Sequence, residues 1–456
     1  MTLGKKRFAR PQLKIIIPNR LLEEIRTLPE DQVSLKKDLY EKMHGRWTEF
    51  MGDEIPLARE VAKKELTNNV NLLLCDMQEE VNYALNRELP RCQNWTRIVI
   101  FPHLMNVSAL FNGRFFVGAM GRDKTWNELA LGFAPEVFKA AQAINQVKKW
   151  LRPVVAPYLV MKLTDYKVKA GEMLRPHIEA ALETRKHGAV LDGGGSVIKS
   201  DERGAWNAIP WMLNHIDTSR TKIDQMVRDI TREQLFLASG SIRQVAMNVF
   251  DILFDLASRP EYIPELRAEI DEVMAKEPGR TIRKNSLPRM RKLDSLLRES
   301  QRMNPASVNR RVTAPNGVRL STGHILPYDT ALSFMHPHAP YSTPPPDLPL
   351  VDPELASKQP PLTEFYPFRY SEAREMDGED NEHQFTHTGR TNLAFGFGKT
   401  ACPGRWFAAA EIKIFLIEIL SSMSPEYKTN IEASSNFSME SLGQYESESQ
   451  PIRTST

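Results

Sequence analysis

Cys402 sits in a turn, Phe395-Gly396-Phe397-Gly398-Lys399-Thr400-Ala401-Cys402-Pro403-Gly404, that runs straight into an alanine-rich stretch, Arg405 onward. Glycines lack a Cβ and let backbone approach a bulky ligand closely. Backbone N–H groups of the turn and of the next helix start can face the sulfur and hold negative charge there. Pro403 suits a first helical turn, where its missing N–H is harmless. The chemistry that fits is a thiolate meeting a large, flat metal cofactor. Three other readings compete. Gly398-Lys399-Thr400 could end a phosphate loop, but the motif's first glycine would fall at Leu393. A catalytic cysteine needs a histidine base that spacing does not reveal. A plain buried cysteine in a loop needs no partner at all.

Other charged residues cluster before the turn. Glu299 and Arg302 lie three apart in Leu296 to Met303, which reads as helix, so the two share a face and can pair. Pairs of this kind arise by chance on many helices. Arg310 and Arg311 follow, and an arginine fork suits a carboxylate because it can hydrogen-bond both oxygens. Lys63 and Lys64 could also reach a carboxylate ligand, with solvated charge the plainer reading.

The elements that must position these residues are mostly helical. Thr231 to Ser258 reads as one long helix with apolar residues nearly all round, hence central. Gly240 and Ser241 interrupt it. A glycine inside a helix costs about 1 kcal/mol, so its presence points to close approach of something bulky or to tight helix packing. Leu13 to Ile17 is predicted as a strand ending at Pro18, and Leu21 to Leu28 as a helix. Asp31 to Phe50 and Ile55 to Leu89 read as mostly helical. Trp95 to Val160 reads as helices broken at Pro102, Pro135, Pro153 and Pro157, and Leu174 to Lys186 as a further helix. Gly193-Gly194-Gly195 is expected as a flexible link. His336 to Pro361, with Pro344-Pro345-Pro346, is expected as an extended loop, and Arg405 to Leu420 as a helix. Beyond Ser421 the chain is polar and weakly patterned.

Composition bounds the rest. The chain has 456 residues, 41% hydrophobic and 26% charged, an ordinary soluble globular balance. A net charge of +3 gives no argument for nucleic acid. Cys75, Cys92 and Cys402 form neither C-x-x-C nor zinc spacing, so a disulfide framework is not expected. No run of about 18 apolar residues appears.

The cysteine turn closely resembles the haem-binding signature of the cytochrome P-450 superfamily, F-x-x-G-x-x-x-C-x-G, at Phe395, Gly398, Cys402 and Gly404. Glu299-Ser-Gln-Arg302, Pro367-Phe-Arg369 and the cysteine turn follow in the superfamily's order. Met290 to Pro305 is similar to filamentous-fungal secondary-metabolism members, as is Gly113-Arg-Phe-Phe-Val-Gly118, which is given no chemistry. The resemblance implies a mainly α fold: a large helical domain and a small β-rich domain, with haem between the long distal helix and the proximal cysteine loop. It implies one catalytic domain over 1–456, with 424–456 a weakly patterned tail. It further implies haem b held by the Cys402 thiolate, a buried network of Glu299, Arg302 and Arg369 supporting the loop, and Arg310 or Arg311 near a haem propionate. Electrons would come from NADPH through a cytochrome P-450 reductase, with cytochrome b5 a further donor. The substrate would be a small hydrophobic terpenoid or related scaffold, oxidised by a monomeric enzyme on the cytosolic face of the endoplasmic reticulum membrane.

Two departures bear on function. The family's N-terminal membrane helix is missing, which is expected of a shortened chain or a truly soluble form. The family's distal acid (or His) and Thr fall at Arg243 and Gln244, then Val245, beside Ser241. Arginine stays charged and relays protons poorly, and an amide donates hydrogen bonds but transfers protons badly. The expected reaction is monooxygenation with protons delivered by ordered water or a substrate hydroxyl. A haem-thiolate isomerase, dehydratase or cyclase stays open, as does a haem-binding paralogue without turnover.

Overall fold

A computed structural model of the chain describes residues 14–50, 57–90, 98–186, 207–305, 307–342 and 348–422. Cys92, the Gly193-Gly194-Gly195 link, Pro344-Pro345-Pro346 and the 424–456 tail lie outside the described residues.

The described residues are 66% helical and hold two small sheets, the mainly α fold with a minor β part that the sequence implies. The helix Ile223–Ala257 organises the larger part. Its buried side chains include Leu235, Ala238, Ile242, Val245, Val249, Ile252 and Leu256, which recur at helical spacing. Around it pack the helices Ile100–Val117, Lys124–Gln146, Met161–Lys186, Arg291–Met303 and Arg405–Ser422. The helix Thr67–Glu88 joins the layer by packing on Ile100–Val117 and Arg405–Ser422.

The smaller part is a four-stranded sheet in the order β1 (Lys14–Ile16), β6 (Ala331–Phe334), β3 (Val308–Val312), β2 (Val33–Ser34). β1 runs parallel to β6, and the other pairs are antiparallel. β4 (Val318–Arg319) and β5 (Ile325–Leu326) form a separate hairpin. Ile17, Leu22, Ile25, Val33, Val312, Leu332 and Phe334 make a second apolar core. The segment leading to the cysteine spans both cores. Leu393 and Phe397 pack into the β core, while Phe395 and Phe407 pack into the helical one.

Several elements differ from their sequence expectations. Pro102 lies in the first turn of Ile100–Val117, where its N–H would be unpaired anyway. Pro135 lies inside Lys124–Gln146 without ending it, since Phe133 and Val137 beside it are buried. The central helix is longer than expected and runs unbroken through Gly240 and Ser241. Asp31 to Phe50 is mostly helical, as expected, but not continuous. It holds β2 and the helices Leu35–Lys42 and Gly45–Thr48, cut by left-handed backbone at His44 (φ 51°) and Glu49 (φ 58°). His336 to Pro361 contains the helix Pro353–Lys358, capped by the Asp352 carboxylate accepting from the Glu354 and Leu355 N–H groups.

Candidate active site

The cysteine turn is closed by a backbone bond from Cys402 N–H to Phe395 O, 2.7 Å. Gly396 and Gly398 hold φ of +74° and +65°, a region that side chains with a Cβ enter at a cost. A Cβ at Gly398 would also lie 2.8 Å from Arg26 Cγ. The Arg26 guanidinium stacks 5.0 Å from the Phe397 ring centroid and covers the turn from the β side. Three loop carbonyls are tied by outside side chains. Arg59 Nη2 donates to Lys399 O at 2.8 Å, Arg405 Nη1 to Cys402 O at 3.0 Å and Thr67 Oγ1 to Pro403 O at 3.2 Å. Burial pushes the Cys402 thiol up from its ordinary range, while the Gly404 N–H and the Arg405 guanidinium oppose that shift. Cys402 is a free thiol.

Glu299, Arg302 and Arg369 come together as a sealed network. Arg302 Nε and Nη2 grip Glu299 Oε2 and Oε1 at 2.8 and 2.7 Å, a two-pronged pair with both side chains 0% exposed. Arg369 Nε reaches Glu299 Oε1 at 3.4 Å, and Tyr366 N–H donates to the same oxygen at 2.9 Å. The spare arginine N–H groups bind loop carbonyls: Arg302 Nη1 to Leu362 O (2.6 Å) and His338 O (2.9 Å), Arg369 Nη1 to Pro360 O (2.9 Å). One carboxylate thus fixes the helix Arg291–Met303 against the strand-end loop and the Tyr366–Arg369 segment.

Arg310 and Arg311 separate across β3. Arg311 Nη1 meets Asp329 Oδ1 at 2.9 Å and its Nη2 meets Asp38 Oδ1 at 3.5 Å. Its charge is therefore occupied away from the cysteine turn. Arg310 points to the turn, donating through Nη2 to Thr400 Oγ1 and through Nη1 to Asn309 O. Among the described residues Arg310 has no carboxylate in ion-pair range. A cavity of about 170 Å³ opens beside it, walled by Leu22, Ile25, Phe334, Phe397 and Thr400. Lys64 pairs with Glu60 at 3.1 Å, and Lys63 and Lys64 are both exposed, which is the solvated reading.

The three distal candidates have different surroundings. The Arg243 guanidinium lies over Phe101, 5.8 Å from its ring centroid, and Phe101 also packs on Phe250, two turns along from Arg243. Ser241 Oγ donates to Leu237 O at 2.9 Å, so its proton is held by the helix backbone. Gln244 is exposed and its side-chain amide makes no hydrogen bond among the described residues. One turn before it, a Cβ at Gly240 would meet no atom within 4 Å.

Some positioning residues had no motif to announce them. Asp294 binds Lys413 Nζ, Arg374 Nη1 (3.2 Å) and Phe385 N–H (2.8 Å), joining the Arg291–Met303 helix to the helix behind the cysteine. Glu411 is wholly buried and accepts from Ser108 Oγ (3.2 Å) and Asn112 Nδ2 (2.9 Å). Burial drives its carboxyl well above the carboxylate range. Glu411 and Lys413, two charged residues in the otherwise apolar run Ala408 to Ile417, were the signal.

Comparison with known proteins gives the family. The sequence model of the family described as Cytochrome P450 matches residues 211–336 and 360–448. Cytochrome P450 monooxygenase ascG of Acremonium egyptiacum is 32% identical over 439 residues, covering 92% of this chain and 78% of that protein. Cytochrome P450 monooxygenase ataF of Aspergillus terreus is 31% identical over 411 residues (89% and 77%). Cytochrome P450 monooxygenase gliF of Aspergillus fumigatus is 31% identical over 423 residues (90% and 78%). The chain belongs to the cytochrome P450 family. It is an oxidoreductase whose cofactor is haem with a cysteine thiolate ligand, supplied with electrons by a reductase.

The residues present suit that cofactor. They offer a half-buried free thiol in a braced turn, a half-buried guanidinium with no carboxylate partner among the described residues, and a central helix whose Gly240 side has room. No described helix is long and apolar enough to cross a membrane.

Proposed function

We propose that Cys402 would hold the haem iron, that Arg310 would receive a haem propionate, and that Gly240 and Gln244 border the space where a small hydrophobic substrate is oxidised. Bound haem supplies activation of dioxygen, with the thiolate pushing electron density toward O–O cleavage. The observation that carries the reading is the turn itself: a thiol fixed by the Cys402–Phe395 backbone bond and by three side-chain ties to loop carbonyls. The network around Glu299 is structural and holds the loop's surroundings rigid. Ser241 can accept a hydrogen bond but has its own proton engaged at Leu237 O. The Gln244 amide can orient a water or a substrate hydroxyl, and that water or hydroxyl carries the proton. Arg243, stacked on Phe101, has no role in proton delivery.

The substrate is a natural-product scaffold of terpenoid or related type, in fungal secondary metabolism. Three relatives named as cytochrome P450 monooxygenases in filamentous fungi support that setting. The electron donor is NADPH-cytochrome P-450 reductase with cytochrome b5 as a further donor, and the working form is a monomer at the endoplasmic reticulum membrane.

The test incubates haem-loaded protein, reductase and NADPH with candidate scaffolds from neighbouring biosynthetic genes, counting product per NADPH oxidised. Product that depends on NADPH and dioxygen supports oxygenation. Product formed without NADPH favours the isomerase, dehydratase or cyclase reading, which rests on the Arg243-Gln244 pair standing where the family carries an acid and Thr.

A further inference from the structure

The helix Arg291–Met303 carries two arginines one turn apart, Arg298 and Arg302, exposed by only 2% and 1%. Arg302 turns the side formed by Nε and Nη2 onto both oxygens of Glu299. In Arg298 the same side of the guanidinium is sealed from solvent, and Nε and Nη2 have no hydrogen-bond partner among the described residues. Nη1 donates to Glu382 O at 2.7 Å and to Gln384 O at 3.3 Å, which fixes the plane of the group. Tyr370 lies against it, with the ring centroid 4.4 Å from Cζ. Burial raises that phenol to about 12, so Tyr370 brings no negative charge.

Charge around this helix is out of balance. Its buried ion pairs already divide two carboxylates among four cations. Glu299 serves Arg302 and Arg369, and Asp294 serves Arg374 and Lys413. Arg374 has the half-exposed Asp380 in addition. Arg298 is a fifth buried cation. The carboxylates whose field reaches it are Asp294 and Glu382. Glu382 is 60% exposed and pairs with His387 at 3.3 Å. Among the described residues no carboxylate is in ion-pair range of Arg298. His336 and His383 also feel its charge, and burial first of all lowers them to about 3 and about 4, so both stay neutral. A buried charge is tolerated when it is paired, and unsatisfied buried donors in a folded protein mark the place of a bound water or ion.

We propose that Arg298 Nε and Nη2 hold a small monovalent inorganic anion, of which chloride is the type, inside the protein between the helix Arg291–Met303 and the segment 379–387. The anion does for Arg298 what Glu299 does for Arg302. One charge is the fit, because a doubly charged phosphate or sulfate would need a second unpaired cation and the neighbouring histidines are neutral. Through Nη1 the same guanidinium holds the Glu382–Gln384 backbone, so anion binding steadies the segment that leads to the cysteine turn. This inference is independent of which substrate is oxidised and of the roles of Cys402 and Arg310.

The test moves the full haem-loaded chain into sodium gluconate and titrates sodium chloride at constant ionic strength, reading urea unfolding by circular dichroism. Each tenfold rise in chloride above its dissociation constant should lower the unfolding equilibrium constant about tenfold. A crystal grown in bromide should show anomalous scattering beside Arg298 Nε and Nη2. Arg298→Met, which keeps the apolar stem and removes the fork, should lose both the chloride dependence and the bromide signal, with haem absorbance retained as the sign of an intact fold. The wild-type titration and the bromide crystal decide the matter even where that variant does not fold. A water without anomalous signal at the fork overturns the proposal, as does a chloride dependence that persists in Arg298→Met. Bromide at Arg298 with stability unmoved by chloride would be an adventitious ion only, and would overturn it too.

Discussion

Arg310 and Arg311 are adjacent in sequence and serve opposite sides of one strand. Arg311 is held by Asp38 and Asp329, whereas Arg310 reaches Thr400, two residues before the cysteine. Successive side chains on a strand point to opposite faces, so only one of the two can meet a cofactor at the turn.

That division predicts separable defects. Arg310→Leu should lower haem occupancy and speed haem loss while leaving apoprotein stability within about 1 kcal/mol. Arg311→Leu should keep haem affinity but cost about 2–4 kcal/mol, since it leaves the buried Asp38 with Lys42 alone. Haem titration of the apoprotein and urea unfolding measure the two quantities.

Glu299 holds two arginines, all three side chains buried from solvent. Glu299→Gln or Arg302→Leu should destabilise by about 3–5 kcal/mol, because each leaves an uncompensated buried charge. Arg302→Lys should recover little, since an ammonium has no planar fork to match both carboxylate oxygens. Denaturant midpoints of the three variants, read with their yield of folded holoprotein, check this.

Asp255 and His336 give stability opposite pH dependences. Asp255, bonded to Ser300 Oγ at 2.7 Å, has its carboxyl raised by burial from 3.8 to about 6. The folded state therefore binds the extra proton between those values, and stability falls as pH rises from about 4 to about 6. Asp255→Asn should remove that slope and gain up to roughly 3 kcal/mol at pH 7. His336 is lowered by burial from 6.5 to about 3. Its unfolded form takes the proton first, so stability is lost as pH falls below about 6.5, and His336→Phe should reduce that acid sensitivity. Unfolding free energies of both variants at pH 4, 5, 6 and 7, each compared with wild type, isolate the two effects.

On the distal side, Gln244→Thr should raise product formed per NADPH by supplying a hydroxyl that can relay a proton. Arg243→Ala should leave that ratio unchanged, because its side chain lies over Phe101. NADPH oxidation and product measured in the same reaction decide between them.

The chemistry of the proximal side was legible in the sequence because it is local. A cysteine with fixed neighbours, Phe395 to Gly404, and an i, i+3 pair, Glu299 and Arg302, leave short-range patterns. The long helices were legible from their apolar periodicity. What stayed hidden depended on contacts distant in sequence. Asp294 with Lys413, and Ser108 with Glu411, are well over a hundred residues apart. The split of Arg310 from Arg311 needed the register of β3 against β2 and β6. Prolines misled because burial of Phe133 and Val137 outweighs the lost bond at Pro135, and the left-handed residues His44 and Glu49 are neither glycine nor asparagine.

The sulfur of Cys402 bears the whole functional account, and the most direct measurement is the absorbance of the reduced carbon monoxide complex in wild type and Cys402→Ser. Wild type should show the band of a thiolate-ligated haem. The variant should lose haem or show a complex without that band, with its circular dichroism unchanged. A Cys402→Ser protein that takes up haem with the wild-type spectrum would contradict the account.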